Sequence, residues 1–74
     1  SDLGDYNGSI SDYTQAIKIN QNNYLAFYNR GAVKAKYLRE FRSACLDFKE
    51  ATALGYAPAK KIFANLDCNQ FSKL

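Results

Sequence analysis

The chain repeats itself at an offset of 35 residues, which limits it to folds assembled from one supersecondary unit used more than once. Tyr6 falls on Phe41, Ile10 on Cys45, Asp12 on Asp47, Tyr13 on Phe48, Ala16 on Ala51 and Ile19 on Leu54. A looser second match continues the phase, with Phe27 on Ile62, Tyr28 on Phe63 and Gly31 on Leu66. In 74 residues this leaves room for half a repeat, a whole repeat and a closing half.

Inside each segment the apolar residues step by three and four. Tyr6, Ile10, Tyr13 and Ile17 share one stripe of an α-helix, and the stripe recurs as Phe41, Ala44/Cys45, Phe48 and Thr52. Ala26, Phe27, Arg30, Gly31 and Lys34 trace a middle helix whose stripe is less purely apolar. Small residues at Ala16, Gly31, Ala44 and Ala51 allow helix axes to approach closely. Asp5 suits an N-cap, as do Asn22 or Asn23. Gly55 suits the position after a helix end, and Pro58 a first helical turn. The pattern predicts an all-α chain of four helices, about 5 to 19, 23 to 37, 40 to 54 and 57 to 66, with no strands. The Asn7-Gly8 dipeptide, a hairpin signal elsewhere, is flanked by helical spacing here, and the Asn7-Gly8-Ser9 glycosylation triplet reads as chance.

Composition narrows the function classes. The chain has no histidine, which removes Ser/His and Cys/His dyads, histidine metal ligands and the commonest general base near neutral pH. Neither a metal nor a cofactor is expected. There is no apolar run of membrane-spanning length and no leader pattern, so the reading is a soluble chain. The sequence opens in the middle of a motif and is expected to be a segment of something longer. Two cysteines, Cys45 and Cys68, are too few for a structural zinc site or a secreted disulfide scaffold, which points to a reducing cytoplasm. If the third and fourth helices form a hairpin, the two thiols lie at similar height. The cytosolic reading disfavours a bond between them, and Cys45, in the slot that Ile10 fills one repeat earlier, is expected to be a buried inert thiol.

The unit itself resembles the tetratricopeptide repeat. Ala26-Phe27-Tyr28-Asn29-Arg30-Gly31 is similar to the first-helix block of such repeats, particularly the bacterial sort with an Asn-Arg-Gly triplet. Leu3-Gly4-Asp5-Tyr6 resembles the turn into the second helix. Ser9 to Asn20 resembles that helix, and Ala44 to Ala51 repeats it. Residues 1–22 then read as the second helix of a truncated repeat, 23–56 as a full repeat, 57–67 as a closing helix and 68–74 as a fraying tail. Gln21 replaces a common proline, Lys34 a usual apolar residue, and Leu38-Arg39-Glu40 lacks a turn glycine. The spacing from Gly31 to Phe41 is one residue longer than the family's usual spacing, so a distorted second turn is expected there.

The resemblance implies a non-catalytic interaction scaffold, in which first helices line a concave face that accepts a peptide or a partner's helix. Carried over by position, the face presents Leu25, Tyr28, Asn29, Ala32 and Lys36 from the middle helix, with Lys60, Phe63 and Ala64 from the last. Tyr28 and Phe63 are the expected apolar contacts, with core packing as the competing role for both. Asn29 and Lys60 match two members of the family's carboxylate clamp, but Ala64 stands in place of its arginine. The first helix lacks a covering partner, which points to self-association through Tyr6, Ile10, Tyr13 and Ile17 into a homo-oligomer, or to a capping segment of a longer array. The alternative partner is nucleic acid. Residues 1–23 carry net −2 and residues 24–74 net +5, with Lys34, Lys36, Arg39 and Arg42 around one turn beside Tyr37. A solvated turn between helices explains that cluster more simply.

Overall fold

Asp5 opens the first helix as its place before the apolar stripe predicts. In the computed structural model, which describes residues 5–66 and Cys68, its carboxylate accepts the Gly8 N–H at 3.2 Å. That hydrogen bond satisfies one of the donors left free in a first turn, and such a cap stabilises a helix by about 1 kcal/mol. Helix α1 runs Tyr6–Ile19, α2 Tyr24–Val33, α3 Phe41–Ala53 and α4 Ala57–Asn65. The Asn23 side chain caps α2 by accepting the Ala26 N–H at 3.1 Å. No strand occurs among the described residues. The Leu3-Gly4 turn and the tail from Asp67, apart from Cys68, lie outside the described residues.

The two turns flanking α3 have different physical solutions. After α3, Gly55 takes φ 96°, while the Gly55 N–H donates to Thr52 C=O at 2.9 Å and the Tyr56 N–H to Ala51 C=O at 3.1 Å. This paired closure, a Schellman motif, satisfies the last carbonyls and turns the chain toward Pro58 in the first turn of α4. Before α3, the α2 helix widens into a π-helical turn over Lys34–Leu38. A π turn holds one residue more than an α turn, so the extra residue between Gly31 and Phe41 is absorbed there. Arg39 then adopts φ 54°, a left-handed conformation usually left to glycine, and the Glu40 N–H reaches back to Lys34 C=O at 2.9 Å.

Packing is sequential, α1 on α2, α2 on α3 and α3 on α4. The core is small and centres on α3, where Ala44, Cys45, Phe48 and Ala51 are buried, with Ala26 and Gly31 of α2 and Ala59 of α4 against them. Phe48 is the largest fully buried side chain. Its ring meets Tyr28 at 5.7 Å, Tyr28 meets Tyr56 edge-on at 5.1 Å, and Tyr56 stacks on Tyr24 at 5.0 Å. Such pairs add to area burial and tie α2 to the turn after α3.

Cys45 and Cys68 form a disulfide, with Cα atoms 5.6 Å apart. This corrects the expectation of an inert Cys45 thiol. The antiparallel α3–α4 hairpin carries the chain after α4 back beside the middle of α3, within bridging distance. The cysteines therefore no longer argue for a reducing cytoplasm, since disulfides persist in oxidising settings. No helix of the described residues is long and apolar enough to cross a membrane.

Two predictions follow from these closures. Reduction of Cys45–Cys68 lowers unfolding stability by about 2–4 kcal/mol. Thermal melts with and without reductant check this, and coincident curves would refute it. Arg39→Gly, which relieves the left-handed strain, raises stability by about 0.5–1 kcal/mol in urea unfolding.

Candidate functional site

A carboxylate cannot be buried alone, and Asp47, only 3% exposed, is the one buried charged residue among those described. Its surroundings answer that requirement from two sides. Arg30 of α2 donates from Nε to Oδ2 at 3.0 Å and from Nη2 to Oδ1 at 2.7 Å, a two-pronged, charge-assisted pair. Lys34, at the start of the π turn, places Nζ 3.1 Å from Oδ2 and donates to Ser43 Oγ at 2.8 Å. The remaining guanidinium nitrogen of Arg30, Nη1, donates to Thr14 Oγ1 of α1 at 3.1 Å, and Thr14 donates to Ile10 C=O at 2.7 Å. Phe27 lies under the guanidinium, 5.5 Å from ring centroid to carbon. One arginine thus joins α1, α2 and α3. No buried side-chain nitrogen or oxygen among the described residues lacks a partner.

The scaffold sets the walls of a cleft of about 340 Å³ lined by Ala32, Ala35, Lys36, Phe41, Phe48, Ile62 and Leu66. Alanines on the α2 side leave the space, Phe41 and Phe48 form the floor from α3, and α4 supplies the far wall. Lys36 is the one charged residue of this lining. The volume is at the low end of the roughly 300–1,000 Å³ typical of binding clefts. A second hollow, about 680 Å³, lies on the outer side of α4 between Ala57, Pro58, Lys60, Lys61 and Ala64. No group of three or more histidine, cysteine, aspartate or glutamate side chains converges among the described residues in a way that would hold a metal.

Of the residues expected on the concave face, Ala32 and Lys36 line the cleft, whereas Lys60 and Ala64 line the separate hollow on α4. Tyr28 is half-buried and packs on Phe48 and Tyr56, the competing role weighed for it. Phe63 and Asn29 are half-buried and Leu25 is 46% exposed. Tyr6 is not bare: it stacks on Tyr37 at 4.2 Å with rings 9° from parallel, while Ile10, Tyr13 and Ile17 are each half-buried. The basic cluster is divided as well. Lys34 is held by Asp47 and Ser43, Tyr37 is occupied by Tyr6, and Lys36 sits 5.4 Å over the Tyr37 ring. That leaves Lys36, Arg39 and Arg42 exposed, with one face of the Tyr37 ring taken by Tyr6, too little for a continuous phosphate-tracking stripe.

The sequence reading missed Phe41, Ile62 and Leu66 as cleft walls, and it missed the ion network. A signal for the network was present: Asp12 and Asp47 are identical and charged where the other matched positions of the repeat are apolar.

Among families, the model for the TPR repeat matches residues 2–36. This stretch covers α1, α2 and the opening of the π turn. No curated protein and no solved structure gives a match.

Removing one member of a buried pair strands the other, which commonly costs about 3–5 kcal/mol. Arg30→Ala is expected to destabilise by that amount, since it loses the two bonds to Asp47 and the link to Thr14 together. Denaturant unfolding measures it, and a loss below about 1 kcal/mol, the range of exposed pairs, would show that the network is not buried in solution.

Proposed function

We propose that this TPR-type repeat fragment is a non-catalytic module that holds a segment of a partner protein in the cleft between α2, the π turn and α4. TPR repeats generally mediate protein–protein interaction, and the all-α fold is of that type. The observation that carries the site is the cleft itself: walls of alanine, phenylalanine, isoleucine and leucine, with Lys36 as the one cation of the lining. Apolar walls contribute affinity by removing partner surface from water, and a single cation fixes which end of the segment lies where. The partner segment is accordingly a bulky apolar residue with a carboxylate nearby.

A random peptide library selected on the intact, oxidised chain tests this. Selected sequences are expected to pair a large apolar residue with an acidic one. Ala32→Leu, which fills the cleft, is expected to weaken them at least about tenfold, the effect of roughly 1.4 kcal/mol. Lys36→Glu is expected to weaken the acidic ones selectively. Peptides that bind the doubly substituted chain as tightly as the parent would place the binding site elsewhere.

A further inference from the structure

The cleft has one wall that the ion network does not hold. Arg30, Lys34, Asp47 and Thr14 tie α1, α2 and α3 together, which fixes the floor of the cleft and its α2 side. Helix α4 is attached differently. Among the described residues no side-chain hydrogen bond or ion pair joins it to another helix, its one fully buried residue is Ala59, and the wall residues Ile62 and Leu66 are half-buried. An element with few buried apolar groups and no polar tie opens at low cost. What fastens its far end is Cys45–Cys68. The loop closed by that bond contains all of α4, with Cys68 two residues beyond the wall residue Leu66 and Cys45 three residues before the floor residue Phe48.

We propose that Cys45–Cys68 is a redox latch on the cleft. With the bond intact, Ile62 and Leu66 are held across from Ala32 and Ala35 and the cleft accepts its apolar segment. With the bond reduced, α4 lifts from α3 and the far wall is gone, while α1, α2 and α3 stay packed through Arg30. The inference rests on the cleft being the binding site. Its reductant is a dithiol. One thiolate of the reagent attacks a cysteine sulfur, the S–S bond breaks and the other cysteine leaves as a thiolate; the second thiol of the reagent then resolves the mixed disulfide and closes a cyclic one. Two electrons pass to the protein, and the reagent's two protons end on Cys45 and Cys68. Both cysteines are buried, at 4% and 3% exposure, so the exchange waits for α4 to open. A segment seated against Ile62 and Leu66 opposes that opening. Linkage then requires that whatever factor reduction takes from the affinity, the bound segment adds to the resistance of the disulfide to reduction.

Binding of a library-selected peptide to the full chain, before and after reduction with dithiothreitol, tests the latch. Affinity should fall at least about tenfold, the result when α4 stays docked in about a tenth or less of the reduced molecules. In titrations against dithiol–disulfide buffers, saturating peptide should make the bond harder to reduce by the same factor, about 30 mV for each tenfold. Cys68→Ser should bind as weakly as the reduced chain and ignore the reagent. Amide hydrogen exchange reads the latch without any peptide. In the reduced chain Ile62 and Leu66 should exchange at least about tenfold faster, while Ala44 and Ala51 keep their protection. Three results would overturn the proposal: equal affinity with and without the bond, protection of α4 that survives reduction, or a loss of protection in α3 as large as in α4. The last would make the bond a staple of the whole fold. If no peptide binds the oxidised chain, the cleft reading falls by itself, and the exchange at Ile62 and Leu66 still decides whether the bond holds α4.

Discussion

The Asp47 carboxylate lies inside a domain too small to solvate it, and that burial dictates much of the surrounding geometry. A buried charge has to be paired and hydrogen-bonded. The pairing comes from α2 and its π turn, so α2 can cross α3 only where Arg30 and Lys34 both reach the carboxylate oxygens. That crossing leaves no room for a side chain at the next position, which is why Gly31 lies against Phe48 and Ala44. Arg30 also extends to Thr14, which carries the constraint from α3 through α2 into α1. A neutral pair of similar shape would give comparable stability but a looser angular preference, because two-pronged guanidinium–carboxylate geometry is directional.

A second tether acts on the opposite side of α3. Cys45–Cys68 holds the chain after α4 to α3, as Asp47 holds α2. The cleft lies between the two fixed elements, with Ala32 and Ala35 on the α2 side and Ile62 and Leu66 on the α4 side. Walls held in place in advance lose less conformational freedom on binding, which is what favours this cleft as the proposed site.

Much of this architecture is legible in the sequence. The three-and-four spacing from Tyr6 to Ile17, the caps at Asp5 and Asn23 and the glycine after α3 are local signals, and local structure follows them. The extra residue between Gly31 and Phe41 marks the place where the helix widens, though not the form the widening takes. The site residues are less legible because their roles depend on what faces them across helices. Arg30 and Lys34 read as interruptions of an apolar stripe, and only Asp47 on the facing helix turns them into core-pinning groups. Lys60 of α4, which aligns with Leu25 at the repeat offset, and Lys36 of the π turn line different hollows. The disulfide is not legible in the sequence: a hairpin sets the two thiols at similar height, but only the fold brings their Cα atoms within 5.6 Å.

The two ends of the repeat are physically unlike. At α1 the aspartate is exposed, so water solvates it when the face is bare and a cation can replace that water when the face is covered. At α4 the position equivalent to buried Ala26 is Lys61, exposed and flexible, and burying it under a further helix would remove an ammonium from water with no carboxylate at hand in the lining of that hollow. The two outer helices therefore differ in charge, an exposed aspartate on α1 against an exposed lysine on α4, on helices that otherwise share one pattern.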